Sequence, residues 1–238
     1  MPTPAEPGVL PSTKQLDAEQ LYLRDFINTE AGLQDYTATW QAMKTFTQQR
    51  NKTTPDHLWL LEHTPVFTLG KAADKSHVLD AGDIPLIRVD RGGQVTYHGP
   101  GQIMVYVLVD LARRKLSVRE MVTRLEQVVI DVLAEYGVEA YGDRDAPGVY
   151  VESKKIAALG LRVSRGCSYH GFCFNYDFDT TVFNRINPCG YPDLQVTDLK
   201  TLLNLSPRQL PAKAQLCQQL VAALVKQFDY RSSKQLDK

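Results

Sequence analysis

The sequence is short of several things, and each shortage removes a class of function. Its 27 lysines and arginines are matched by 27 aspartates and glutamates, so it lacks the basic surplus of a general nucleic-acid binder. No stretch reaches the roughly 18 charge-free apolar residues that a membrane-spanning helix needs. Only four cysteines occur (Cys167, Cys173, Cys189 and Cys217), too few in 238 residues for a disulfide framework, so a reducing, cytoplasmic setting is expected. Met1 to Thr13 has neither the basic-then-apolar order of a signal peptide nor the arginines of a transit peptide. The G-x-x-x-x-G-K-[ST] and G-x-G-x-x-G phosphate loops are both missing, as are Cys-x-x-Cys and His-x-x-x-His pairs. Internal repeats and low-complexity linkers are absent too.

What remains is ordinary globular composition, 43% apolar and 23% charged. Prolines at 2, 4, 7 and 11 mark residues 1–14 as a flexible leader, and residues 232–238 read as a polar tail. Residues 15–231 are expected to form one domain. Three helices are predicted. The first runs from about Glu30 to Arg50 on the spacing of Leu33, Tyr36, Trp40 and Met43. The second opens at Ser117 with Glu120 three residues on, a capping box, and ends near Gly137. The third runs from about Ala212 to Phe228 with Leu216, Leu220 and Leu224 on one face. Strands are predicted at 58–61, 86–89, 103–108, 149–151, 156–163 and 167–178. Four adjacent strand segments are expected between 148 and 178, which indicates an α/β or α+β domain with a mixed sheet flanked by helices.

Three segments have the makings of a site. Arg91–Gln102 packs four glycines among Arg91, Gln94, Thr96, Tyr97 and His98. It reads either as a binding loop or as a tight surface hairpin. Lys155 directly precedes an apolar strand, where a desolvated amine is suited to proton transfer, whereas Lys154 reads as solvated. Cys189 stands in a loop among Pro188, Gly190 and Pro192, away from any apolar face, and is the best nucleophile candidate; the other three cysteines read as core. Cys167, His170 and Cys173 have a three-residue step that alternates faces on a strand, so no metal site is expected. Arg113-Arg114-Lys115 reads as a solvated loop or as a docking patch for an acidic partner.

These residues resemble a known family. Arg91-Gly92-Gly93-x-x-Thr96-Tyr97-His98-x-x-Gly101-Gln102 with Tyr106 is similar to the signature of the octanoyltransferases, the lipoyl(octanoyl) transferases of the lipoate biosynthesis protein B family. Gly148–Val151, Lys155–Val163, His170–Phe172 with Asn175, and Ile186–Gly190 extend the resemblance in order, over about residues 20–205. Leu159 stands where isoleucine is common. The resemblance implies a fold similar to the catalytic domains of biotin protein ligases and lipoate-protein ligases. It implies that Cys189 carries an acyl thioester and that Lys155 tunes it. It implies a substrate pocket lined by Arg91, Gly92, Gly93, Gln94, Val95, Thr96, Tyr97 and His98, by Ala158, Leu159 and Gly160, and by Gly171, Phe172 and Cys173.

The reaction so implied moves an octanoyl (or lipoyl) group from acyl carrier protein to a lysine of a lipoyl domain. The acceptors would be the E2 subunits of 2-oxoacid dehydrogenases and the glycine cleavage H protein, with no cofactor, nucleic acid or membrane involved. Thioester exchange is near thermoneutral and amide formation is downhill, so no ATP is needed. A thiol of pKa about 8.5 is only a few per cent ionised at pH 7 and needs activation, which Lys155 would supply. Six or so buried methylenes at about 0.8 kcal/mol each give about 5 kcal/mol, so an apolar slot is expected. The rival readings are an ATP-dependent lipoate or biotin ligase on the same fold, a Cys-His hydrolase, and an inactive carrier-protein binding module.

Overall fold

The structure, a computed structural model, describes residues 17, 19–27, 32–203 and 210–236, with Cys189 described by its backbone alone. Residues 1–14, read as a leader, lie outside the described residues, as do Glu30 and Ala31 at the expected start of the first helix.

In chain order the strands are β1 Gln20–Asp25, β2 Asp56–Leu61, β3 Val66–Leu69, β4 Leu86–Arg88, β5 Val95–His98, β6 Gln102–Leu108, β7 Tyr141–Gly142, β8 Gly148–Val151, β9 Lys154–Ser164, β10 Cys167–Asn175 and β11 Ser232–Gln235. The helices are α1 Tyr36–Gln49, α2 Val118–Glu135, α3 Leu199–Leu203 and α4 Lys213–Gln227. Eight strands form one mixed sheet in the order β11-β1-β2-β6-β10-β9-β8-β7; β4, β3 and β5 form a second, smaller sheet. Pairing is parallel around β1 and antiparallel from β2 to β7.

Local chemistry sets the helix starts. Asp35 accepts from the Ala38 N–H at 2.7 Å and opens α1. Ser117 and Glu120 form the reciprocal capping box that opens α2. Alternation along the strands then separates two cores. Leu58, Leu60, Ile103, Val105, Val107, Phe172 and Phe174 pack under α2 and α4, whose inward face is Leu125, Val128, Val129, Val132, Leu216, Leu220 and Leu224. Trp59, Leu61, Met104, Tyr106, Leu108, Tyr169 and Cys173 point the other way, onto Met43 and Phe46 of α1.

Three expectations change. The 148–178 region holds three strands, Gly148–Val151, Lys154–Ser164 and Cys167–Asn175, rather than four segments. Residues 232–235 of the expected polar tail form the edge strand β11, paired in parallel with β1. Their polar character fits, since an edge strand meets water and its backbone does the pairing. The Arg113-Arg114-Lys115 cluster is not simply a solvated loop: Arg113 and Arg114 turn inward onto Asp56 (2.6 and 3.4 Å), and only Lys115 is exposed. That fully buried carboxylate also takes Arg50 (2.6 Å) and the Tyr230 hydroxyl (2.8 Å). A buried carboxylate needs this much pairing to offset its desolvation.

Candidate active site

Arg91–Gln102 is a buried strand and a turn, not a surface hairpin: Val95–His98 is β5, paired with β3. It closes a narrow slot against the middle of β9 and β10. The slot is a small cavity of about 50 Å³. Its walls are Arg91, Gly93, Gln94, Val95, Thr96 and His98 on one side; Ala158, Leu159, Gly160, Gly171, Phe172 and Cys173 on another; and Tyr36, Met104, Tyr106 and His170 around them. Gly171 lies between Gly160 and Tyr106 in the sheet register, and a Cβ on it would fall 2.0 Å from the Val105 carbonyl oxygen. Only glycine allows that close pairing with β6.

Gly92 and Tyr97, expected in the wall, are outside it. Gly92 donates its N–H to Leu161 and ties the loop to β9 (2.9 Å). Tyr97 points away, into a separate cluster with Phe67 and Phe183, because alternation on β5 opposes it to its neighbours Thr96 and His98.

The surface that the slot exposes is mostly apolar, as an apolar cargo would need, because most of its polar side-chain atoms are engaged with one another. Arg91 donates to Thr68 Oγ1 and to the carbonyls of Thr68, Gly92 and Gln94 at 2.8–3.2 Å, a clamp that holds the glycine loop closed. His98 Nε2 pairs with Thr68 Oγ1 (3.3 Å), and burial holds its pKa well below the usual value, so the ring is neutral and only weakly basic near neutral pH. His170 Nε2 meets Asp90 Oδ1 at 3.1 Å, and Asp90 also accepts from Trp40 (2.8 Å) and Tyr169. Those donors pull the Asp90 carboxyl well below the usual carboxylate range, against the burial that would raise it.

His170 departs from the expected alternation. Its φ of +60° turns the ring to the side of Tyr169, so that both reach Asp90, on the face that also carries Cys173. Among the described residues no group of three or more His, Cys, Asp or Glu could hold a metal ion.

His63 and Asp90 belong to no motif read from the sequence, and Tyr36, read only as a helix-face residue, joins Tyr106 of the signature in lining the slot. His63, buried, joins Gln34 O (2.9 Å) to the Tyr106 hydroxyl (2.6 Å), so a chain of hydrogen bonds runs from the start of α1 to the slot wall. The signal for it was the Leu61-Glu62-His63 run, an ionisable pair directly following an apolar strand.

Lys155 is buried at the start of β9, three residues before the slot wall at Ala158. An odd step on a regular strand reverses faces. Here β8 and β9 pair through a bulge: Val149 faces Ala157, Tyr150 faces Lys155, and Ile156 is left over. Ile156 and Ala157 both enter the core under α2, which returns Lys155 to the slot side with Ala158. The amine lies 5.0 Å from the Tyr150 ring and donates to the Pro147 carbonyl at 3.3 Å. Its backbone pairs with residues 195–197, through Lys155 N to Gln195 O (2.8 Å) and Thr197 N to Lys155 O (3.0 Å). That segment follows the short helical turn Pro188–Gly190, which carries the Cys189 backbone. The turn is held by Asn187 N donating to His77 O (2.8 Å). Gly190 has φ +81°, and a Cβ there would stand 3.3 Å from Gln94, a slot residue. The Cys189 turn therefore borders the slot.

The three other cysteines are buried and free. Burial raises the thiol pKa of Cys167 and of Cys173 and pushes Cys217 up to about 12, so all three stay protonated near neutral pH. Among the described residues no helix is long and apolar enough to cross a membrane.

Comparison with known proteins places this geometry. Residues 35–228 match the family described as the lipoyl protein ligase A/B catalytic domain. An octanoyltransferase of Cellvibrio japonicus is 52% identical over 212 residues, 89% of this chain and 96% of that protein. An octanoyltransferase of a Shewanella species is 56% identical over 171 residues, 72% of this chain and 79% of the relative. Among solved structures, a bipartite lipoate protein ligase from Thermoplasma acidophilum superposes with a TM-score of 0.66 at 14% identity, over 92% of this chain and 87% of that one. At that identity it speaks for the fold alone.

Proposed function

The chain belongs to the lipoyl protein ligase A/B catalytic-domain family and, within it, to the octanoyltransferases; for this acyltransferase we propose a two-step relay through Cys189, from octanoyl-acyl carrier protein to a lysine of a lipoyl domain. In the first step the Cys189 thiolate attacks the donor thioester, the carrier thiol leaves, and an octanoyl thioester forms on the enzyme. In the second, the acceptor amine attacks that thioester, Cys189 leaves as thiolate, and an amide forms. Each step makes one acyl bond and breaks one, so neither ATP nor a cofactor enters. The acceptors are the lipoyl domains of 2-oxoacid dehydrogenase E2 subunits and the glycine cleavage H protein. The relay needs Cys189 as a free thiol and hence a reducing compartment, the cytoplasm.

The observation that carries this reading is the shared border: the turn bearing Cys189 abuts Gln94, and the strand bearing Lys155 continues into the same slot wall. As an ammonium, Lys155 stabilises the thiolate. As an amine, it takes the proton of the thiol or of the incoming lysine. The narrow slot suits an unbranched chain, and Arg91, with its guanidinium spent on Thr68, Gly92 and Gln94, serves as its frame.

The test is intact-mass spectrometry of the protein mixed with octanoyl-acyl carrier protein, alongside Cys189→Ser. One octanoyl group on the parent, absent from the variant and discharged by a lipoyl domain, is the expected result. Octanoylation that requires ATP and free octanoate, with no adduct on the parent, would refute the relay in favour of a ligase.

A further inference from the structure

Lys155 Nζ donates to the carbonyl oxygen of Pro147 at 3.3 Å. The N–H of the same amide, that of Gly148, donates to Glu126 Oε1 at 3.1 Å. One peptide plane thus has an amine on its oxygen and a carboxylate on its nitrogen. Glu126 is an anomaly on α2, whose other buried residues are Met121, Leu125, Val128, Val129, Val132 and Leu133. Burying a carboxylate on an apolar face is costly unless it is partnered. Burial does raise the Glu126 pKa, and the Gly148 N–H and the positive charge of Lys155 oppose the rise.

We propose that Glu126 is a positioning residue for Lys155: its carboxylate acts through the Pro147–Gly148 amide to favour the ammonium form and to fix where the nitrogen stands. A carboxylate on the N–H polarises an amide and makes its carbonyl a stronger acceptor. Gly148 is part of the device, because a Cβ there would lie 2.9 Å from Lys155 Cε and 3.1 Å from Nζ. The proposal rests on the role given to Lys155 in the relay. The other ionisable groups facing the pair are Asp143 from the 143–147 turn, which raises Glu126, Tyr150 from β8 beside the amine, and Tyr141 from β7 stacked on Tyr150.

The test compares the parent with Glu126→Gln, which keeps an acceptor for the Gly148 N–H and removes the charge. Reductive methylation of Lys155, followed by peptide mass spectrometry across pH, reports its neutral fraction. Octanoyl transfer is measured on the same samples. Loss of the carboxylate disfavours the ammonium, so Lys155 in the variant is expected to be modified faster below its pKa. The gain is about tenfold in rate for a pKa lowered by one. The Lys155-dependent limb of the kcat/KM profile moves to lower pH by the same amount, with Tm retained. Glu126→Asp keeps the charge on a shorter stem and is expected to fall between the two. It stands in if the Gln variant fails to fold, since it too must then differ from the parent. Identical labelling profiles in parent and variants would overturn the proposal. A shifted labelling profile with an unmoved rate profile would uphold the coupling and remove Lys155 from the relay.

Discussion

Acidification should destabilise this protein through its buried histidines, and the size of the effect follows from their surroundings. His57 is packed against Phe46 (4.4 Å between ring centres), and burial, aided by Arg24 and Arg50, pulls its pKa down to about 3. His63 is pulled by burial to about 4. In the unfolded chain both return to about 6.5. A depressed folded-state pKa means that the unfolded state binds more protons between the two values, so stability rises with pH there. It is fully present above the unfolded pKa and is lost as pH falls. Between pH 7 and 5.5 each histidine costs about 1.3 kcal/mol, so the pair costs about 2.5 kcal/mol. His98 and His170, both also lowered by burial, act in the same direction. Urea unfolding at pH 8, 7, 6 and 5.5 measures this directly. At pH 5.5 the expected slope is an uptake of about two to four protons on unfolding. A stability that stays flat from pH 8 to 5.5 would refute the claim that these rings fold neutral.

Two further outcomes test other parts of the structure. Asp56→Asn leaves Arg50, Arg113 and Arg114 facing one another without their shared carboxylate, and should cost about 3–5 kcal/mol in unfolding free energy. A loss under about 1 kcal/mol would mean that water already reaches the cluster. Tyr106→Phe removes the hydroxyl on His63 Nε2 and leaves a buried ring nitrogen unpartnered, a cost of about 1–3 kcal/mol by thermal unfolding; an unchanged Tm would show the His63 chain to be dispensable for stability.

The sequence carried the regular parts of the fold well and the irregular parts poorly. Helix α2 was readable from its capping box and apolar spacing, and α4 from apolar spacing alone, both local signals. Strands β2, β6, β8, β9 and β10 were readable as apolar or alternating runs. By contrast, β11 has the sequence Ser-Ser-Lys-Gln. It exists because β1 offers it an unpaired edge, a tertiary cause with no local trace. Strand β5 lay hidden inside a glycine loop, since its partners on β3 are some 30 residues away. Most residues of the family motifs lie around one slot, while Tyr97 turns into a separate cluster, because alternation along β5 sets it opposite Thr96 and His98.

Lys155 shows why a site so visible in motif remains opaque in geometry. Counted along a regular strand, Lys155 and Ala158 fall on opposite faces, and a reading by period alone would separate the amine from the slot. A single unpaired residue, Ile156, reverses that result by shifting the register between β8 and β9. Nothing about the Ile-Ala-Ala run announces a bulge. The bulge follows from pairing Tyr150 with Lys155 while Gly148 remains opposite Ala158. Gly148 permits this because the Lys155 side chain lies where its Cβ would be. The amine's position is thus set by three separate segments: the bulged strand, the Gly148 gap and the 195–197 segment that pairs with the Lys155 backbone. Insertion of one residue between Val149 and Tyr150 would relieve the bulge and turn Lys155 to the helix side. It should abolish transfer while leaving β9–β10 pairing intact, and retained activity in that variant would refute the argument.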